Sequence, residues 1–298
     1  MYKIWVRFCF LLLILFSFGR ELTSSDAKSI DINKIEIYES ASKKQVGWDA
    51  LLNAVSNSDA LVLGEEHFDE YGHFWKLIAF QRISEKFPLV LSLEALERDQ
   101  QRVLDEFLQD QISEIGYLSG LKLWTNYNQD YHPLVKAAKE RKSLVIAGNC
   151  PRRYVNMVSL KGIQSIFAIR SPYLPPRYLS LIHRQPEYET KLIEALSSHG
   201  HGVTQENLKN FVDAQHLWDA SMSDSIAQAV YMSGRKVFHI NGRFHSDEGM
   251  GVVYRLKQLG LKVVTFSLFP LEEGKQVGDS EYKLADFVVI TQRKPAQE

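Results

Sequence analysis

Four apolar runs, each stopping abruptly at polar residues, set the plan of this chain. Ala60-Leu61-Val62-Leu63 runs into Gly64-Glu65-Glu66-His67, and Val90-Leu91-Ser92-Leu93 into Glu94. Leu144-Val145-Ile146-Ala147 runs into Gly148-Asn149, and Val237-Phe238-His239-Ile240 into Asn241-Gly242-Arg243-Phe244-His245. Short apolar runs bounded by turn residues read as buried strands. Parallel α/β sheets bind ligands beyond the carboxyl ends of their strands, so these four ends are expected to form one site. Between the runs the period changes to that of helices. Trp48 to Val55 places Leu51, Leu52 and Val55 inward; Glu70 to Lys86 does so with Phe74, Leu77, Ile78 and Ile83; Arg98 to Leu108 with Val103, Leu104, Phe107 and Leu108. Pro133 to Arg141, Thr204 to Met232 with a break before Gln215, and Gly249 to Leu259 complete the helices. Lys34 to Tyr38 reads as an edge strand, Lys262 to Leu268 as a fifth strand in the core, and Ala285 to Thr291 as one more. Strand–helix–strand alternation favours a parallel sheet, with Glu94 at the end of the strand beside Glu65.

Residues 151–203 break this rhythm. Pro151, Pro172, Pro175, Pro176 and Pro186 punctuate a stretch dense in basic and aromatic residues, leaving at Gly200 and Gly202. It reads as a helical insertion capping the C-terminal edge of the strands. The expected fold is an α/β domain over residues 34–298, mainly a parallel sheet flanked by helices, with that cap.

The N-terminus follows another pattern. Lys3 and Arg7 precede the apolar run Phe8 to Phe18, and Ser17 and Gly19 offer small residues after it. This is a signal-peptide pattern over residues 1–19, shorter than the ~20 residues a spanning helix needs. Removed, it exports the protein to the periplasm or envelope; kept, it anchors the protein to a membrane. Cys9 sits behind Phe8 and is a poor lipidation site. Residues 20–33 form a polar lead-in. In the remainder Cys150 stands alone, so no disulfide framework exists, and its expected role is packing.

Composition adds little beyond confirming a globular chain. With 298 residues, 45% hydrophobic and 24% charged, there is enough apolar material for a core. A formal net charge of -1 gives no basic surface for nucleic acid.

The chemistry gathers at the strand ends. Glu65 and His67 can converge across the turn while Glu66 faces away. With Glu94 and His245 they supply two carboxylates and two imidazoles, suited to a divalent metal or to acid–base catalysis. His73 follows on the next helix. Gln215, Asp219 and Met222 share one helix face, so Gln215 and Asp219 can both point into the site, Asp219 as a supporting carboxylate; Trp218 reads as core or pocket wall. Trp124, Tyr127, Tyr131, Tyr154 and Tyr173 bring aromatics, and a tyrosine phenolate can ligate haem iron. Arg152, Arg153, Arg170 and Arg177 can pair with propionates or form a solvated face. No Cys-x-x-Cys-His, glycine-rich dinucleotide fingerprint, P-loop or His-Glu-x-x-His occurs, and Ser119 between Gly116 and Gly120 lacks the spacing of a nucleophile elbow.

These pieces resemble the ChaN-like family of haem-binding, iron-regulated bacterial lipoproteins, within a superfamily that also holds erythromycin esterases and Tiki proteases. The resemblance rests on Leu63-Gly64-Glu65-Glu66-His67, Ser92-Leu93-Glu94, Trp124 with Tyr127 and Pro133, Gly148-Asn149-Cys150-Pro151, Gln215 through Met222, and Asn241-Gly242 through His245 with Gly251. It implies haem bound through tyrosine, between two subunits of a homodimer. For the esterase and protease branches it implies hydrolysis by Glu65, His67, Glu94 and His245. The lipidation cysteine of the lipoproteins is missing. The sequence reading is therefore an exported haem-binding protein for iron acquisition or haem handling, with a Glu/His or metal-dependent hydrolase as its rival.

Overall fold

The computed structural model describes residues 35–181, 184–197, 204–272 and 274–292. The expected signal peptide, the lead-in and the glycine exit of the insertion lie outside the described residues. Among those described, eight strands make one sheet: β1 (Glu36–Glu39), β2 (Lys44–Gln45), β3 (Ala60–Glu65), β4 (Leu89–Glu97), β5 (Leu144–Asn149), β6 (Lys236–Gly242), β7 (Val263–Leu271) and β8 (Phe287–Gln292). Their order is β2-β1-β8-β7-β3-β6-β4-β5. Every pairing from β8 to β5 is parallel, and β1 joins β8 and β2 antiparallel. The predicted edge strand is therefore second from the edge, covered by the two-residue β2.

The helices are α1 (Trp48–Ser56), α2 (Glu70–Ser84), α3 (Gln101–Leu108), α4 (Glu114–Ser119), α5 (Tyr127–Asp130), α6 (His132–Glu140), α7 (Arg152–Lys161), α8 (Arg177–Leu181), α9 (Pro186–Ser197), α10 (Gln205–Ser233) and α11 (Gly251–Gln258). Strand residues alternate between two buried faces. Leu61, Leu63, Leu91, Leu93, Phe238 and Ile240 face a core shared with Leu51 of α1, Trp75 and Phe80 of α2, Leu104 of α3 and Leu134 of α6. Val62, Val90 and Val237 face Met222 and Ile226 of α10 and Val252 and Leu256 of α11. Each such side chain, fully buried, contributes about 1.5–3 kcal/mol.

Two expectations need correcting. β3 and β4 follow each other in the chain but are not neighbours, because β6 lies between them and pairs with both. Glu94 is thus two strands from Glu65. Nor does the long helix break before Gln215. It runs unbroken through α10, opened by Thr204, whose hydroxyl accepts from the Asn207 N–H at 3.2 Å, and ended by Gly234 at φ 64°. It holds no glycine or proline, so nothing interrupts its main-chain ladder.

One glycine sets the geometry above the sheet. A Cβ on Gly64 would stand 2.7 Å from Ser246 Oγ and 3.0 Å from the Arg243 Cα. The segment after β6 therefore lies directly over the end of β3, which is how His245 reaches the site.

Candidate functional site

β3 aims Glu65 at α2. There Lys76, a cation among the core positions Trp75, Ala79, Phe80 and Ile83, donates to Glu65 Oε2 at 2.6 Å. Both side chains are essentially inaccessible to water. Burial alone would raise the Glu65 pKa, but the Lys76 charge and the imidazoles of His67 and His73, 3.6 and 3.4 Å from its oxygens, bring it well below the usual carboxylate range. Tyr131, between α5 and α6, donates its hydroxyl hydrogen to Glu65 Oε1. That hydrogen is the only one it has. The 3.2 Å contact between Tyr131 Oη and His67 Nδ1 can therefore only run from Nδ1–H to the hydroxyl. The His67 carbonyl accepts from Asn126 Nδ2 at 2.7 Å and from His73 Nε2 at 3.0 Å. Trp124 meets the imidazole edge-on at 4.9 Å between centroids. His67 is held at its backbone and on one ring nitrogen, while its side chain stays 38% exposed.

Gly242 explains how residues from β3 and β4 meet across the strand between them. A Cβ there would lie 2.9 Å from His67 Nε2 and 3.8 Å from Glu94 Oε2. With no side chain on β6 at this level, His67 and Glu94 share the space, and the Gly242 N–H donates to Glu94 Oε2 at 2.6 Å. Burial lowers the His67 pKa, but Glu65 and Glu94 outweigh it and the net shift is upward.

His245 comes from the short 3-10 turn Arg243–His245 and stands on the other side of Glu94. Its Nδ1 donates to Asp219 Oδ1 at 2.7 Å, and its Nε2 lies 3.7 Å from Glu94 Oε1. Asp219 is buried on α10 and also faces the Arg255 guanidinium at 3.5 Å. Burial opposes the charge on His245, but Glu94 and Asp219 together hold its pKa up to about 9. A polar chain continues behind. Arg255 Nη2 meets His216 Nδ1 at 2.7 Å, and His216 Nε2 meets Glu189 Oε1 of α9 at 3.0 Å. The insertion thus braces the His245 side of the site. A raised folded pKa makes the stabilisation from His245 complete below the unfolded value of 6.5, and it fades as pH rises through about 9. Thermal melts across that window are expected to show Tm falling in the parent and falling less in His245→Gln.

A cavity of about 580 Å³ opens in front of these groups. Its floor is His67, Glu94, Asn149 and His245; Leu123, Trp124 and Trp218 form apolar walls; Lys122 and Arg152 stand at its rim. Phe68, 81% exposed, projects beside His67.

Of the sequence candidates, Glu65, His67, Glu94, His245 and Asp219 come together, and Glu66 turns away to Arg243 at 3.0 Å. They do not assemble as metal ligands. Among the described residues no three His, Cys, Asp or Glu side chains are placed to hold a metal ion. Glu65 accepts from Lys76 and Tyr131, Glu94 from the Gly242 N–H, and Asp219 from His245.

The tyrosines are placed elsewhere. Tyr127 is fully buried, its hydroxyl 2.5 Å from that of Tyr117. Tyr131 is buried and engaged with Glu65, which with burial raises its pKa. Tyr154 bonds Ser171 at 3.0 Å, and the Arg153 guanidinium, paired with Asp99, lies over the rings of Tyr154 and Tyr173. These form a separate surface cluster. Of residues 151–203, Arg152 alone among those described lines the cavity. The other wall comes from residues 122–126, among them Trp124. Cys150 also reaches the cavity wall, but burial pushes its thiol up to about 12, in line with a packing role. Lys76 and Arg255 were missed. Both are cations at core-facing helix positions, and that mismatch was the available signal.

A family model described as haem-binding uptake, Tiki superfamily, ChaN matches residues 51–256. Among solved structures, the chain is similar to ChaN of Campylobacter jejuni with cofacially bound haem, at 19% identity and TM-score 0.67, over 86% of this chain and 96% of that one. That likeness shows the fold. The type III effector HopBA1 (12% identity, 83% and 93% covered, TM-score 0.46) and a mutant erythromycin esterase EreC in its open conformation (12%, 84% and 80%, TM-score 0.45) are looser and carry no argument. No curated protein matches the chain.

Proposed function

Because the chain belongs to the ChaN family of haem-binding uptake proteins in the Tiki superfamily, we propose that it binds haem in the cavity at the ends of β3, β6 and β4. The family match carries this reading. The cavity fits such a ligand in size and in kind: about 580 Å³, apolar walls, cations at the rim and an imidazole with no second partner in its lining. His67 Nε2 is the proposed iron donor, since its other nitrogen is already bonded and its side chain is partly exposed. His245 does not compete, being held protonated between Asp219 and Glu94. Lys122 and Arg152 are placed to pair with propionates. Trp124, Leu123 and Trp218 exclude water from the ring faces they cover. Bound haem supplies an iron centre in a planar apolar ring bearing two carboxylates.

This moves the ligand from tyrosine, which the resemblance implied, to histidine. We further propose export for iron acquisition or haem handling, which the signal-like N-terminus supports. We also propose a homodimer, in which a second copy closes over the open haem face beside the exposed Phe68. Among the described residues no helix is long and apolar enough to cross a membrane, so membrane association is assigned to the N-terminal segment if it is retained.

A hydrolase is the second reading. One observation favours it: Glu94 stands between a protonated His245 and a partly exposed His67, a possible acid and base on either side. Hemin titration decides. A saturable Soret shift at micromolar protein is expected. No shift, with turnover of a simple ester instead, would hand the site to the second reading.

A further inference from the structure

The insertion lends the cavity lining a single described residue, Arg152, yet three of its groups converge behind the floor. The Leu179 carbonyl of α8 accepts from Arg255 Nε at 3.1 Å, and Glu189 of α9 holds His216 at 3.0 Å. The third is Tyr188 of α9, whose side chain is fully buried. Its ring meets His216 edge-on at 5.7 Å and Phe244 at 6.2 Å between centroids. His216 lies one helical turn before Asp219, and Phe244 directly precedes His245. The phenol is therefore bracketed by chain neighbours of both members of the Asp219–His245 pair. We propose that Tyr188 is a positioning residue for the cavity floor: its hydroxyl donates to Asp219 Oδ2, and so fixes the carboxylate that aims His245 at Glu94. The inference goes beyond the ligand reading, because His245 lines the floor whatever the cavity holds.

Hydrogen-bond accounting leads to the same pairing. Asp219 gives Oδ1 to His245 Nδ1 at 2.7 Å. Its Oδ2 is buried without a well-formed hydrogen bond, and so is the Tyr188 hydroxyl. Buried polar groups rarely stay unpaired, and a charged oxygen is the costliest to leave so. Arg255 fills this place poorly. Its Nη1 stands 3.5 Å from Oδ2, while the guanidinium is directed to the carbonyls of Leu179 and Gly251 and to His216 Nδ1, at 3.1, 3.0 and 2.7 Å. The phenolic hydrogen can turn toward Oδ2 while the ring stays packed, and a bond from a hydroxyl to a carboxylate is of the stronger, charge-assisted kind. Burial and then the Asp219 carboxylate push the phenol well above its ordinary pKa of 10, so it keeps the hydrogen it has to give. Gly251 closes the other side: a Cβ there would lie 3.1 Å from Asp219 Oδ1. Without the hydroxyl, Arg255 would be the group left drawing on Oδ2, and a carboxylate that turns toward it takes Oδ1 away from His245.

The test is proton NMR of the haem-free, full-length parent, Tyr188→Phe, Tyr117→Phe and Leu192→Ala, well below the His245 pKa of about 9. The reporter is the His245 Nδ1 hydrogen, identified by its loss in His245→Gln; its bond to a buried carboxylate protects it from exchange with water. Tyr188→Phe keeps the ring and removes only the hydroxyl. Exchange of the reporter is expected to quicken at least about tenfold, as loss of a hydrogen bond to a charged group implies. Tyr117→Phe removes a buried hydroxyl bonded to Tyr127, and is expected to leave the rate unchanged. Leu192→Ala loosens the small apolar cluster that holds Tyr188 but spares the hydroxyl, and its effect is expected to be smaller than that of Tyr188→Phe. An unchanged rate in Tyr188→Phe, or an equal effect of Leu192→Ala, would overturn the positioning role. Should Tyr188→Phe not fold, the parent alone decides. A Tyr188 hydroxyl hydrogen with a cross-peak to the Asp219 side chain supports the proposal, and one with cross-peaks to other groups alone overturns it.

Discussion

His67→Ala is expected to abolish hemin binding at micromolar concentrations, a loss of at least about 100-fold, with far-UV circular dichroism and Tm close to the parent's. The size follows from what is removed. Deleting an outer partner of a metal ligand costs about 10- to 100-fold, and the ligand itself should exceed that range. The fold is expected to tolerate the change, because the His67 side chain is 38% exposed and its carbonyl bonds to Asn126 and His73 are main-chain bonds that alanine retains. The same residue gives the parent a pH dependence of known sign. Iron takes the neutral imidazole, so protons compete with it. Glu65 and Glu94 overcome burial and raise the His67 pKa above 6.5. Hemin affinity should therefore fall as pH drops through that raised value, approaching about tenfold per pH unit on the acid side. An affinity that rose on acidification would contradict ligation by this nitrogen.

Lys76→Met should cost about 3–5 kcal/mol of stability, the usual penalty for leaving one member of a buried ion pair behind. Lys76 and Glu65 are almost wholly withdrawn from water, 2.6 Å apart. Methionine keeps much of the side-chain volume, so packing alone explains little of the loss. Chemical denaturation of the single variant and of Glu65→Gln/Lys76→Met separates the contributions. The double variant carries no stranded charge and is expected to recover most of the loss. Acid should narrow the gap between parent and single variant. In the parent, the depressed Glu65 pKa gives stability that is present above the unfolded value of 4.5 and lost as pH falls through the lower folded value. In Lys76→Met the lone carboxyl titrates upward instead, and protonation relieves it early.

Much of the core could be read from the chain, because a strand buried on both faces announces itself as a short, mainly apolar run. β3, β4, β5, β6 and β7 all did so. What the runs could not disclose was their order. The apolar pattern of β6 says that it is buried, not that it lies between two strands placed far earlier in the chain. The candidate site followed the same division. Glu65, His67, Glu94 and His245 stood out as polar residues at apolar ends. Asp219 came from helical spacing alone, although the expected break in that helix was wrong. Tyr131, expected as a haem-side aromatic, gives its phenol to Glu65 behind the cavity. Lys76 and Arg255 were passed over as ordinary cations, because a helix period does not reveal which cation has a carboxylate waiting inside. Arg152 lines the cavity, while Arg153, Tyr154 and Tyr173 belong to another surface.

The place of β6 also bears on how the protein comes to exist. Until β6 is made, the β3–α2–β4 segment has a gap one strand wide between two apolar, unpaired edges. Domains tend to fold from the N-terminus while still being synthesised, and open strand edges of this kind invite aggregation. Gly242, the glycine that lets His67 and Glu94 meet, is the last residue of that late strand. The strand that joins β3 to β4 thus also forms the part of the cavity floor shared by His67 and Glu94, while His245, β7 and β8 follow later in the chain. Long-range parallel pairing of this type is intrinsically slow. Refolding rate is thus tied to the same strand that builds the cavity floor.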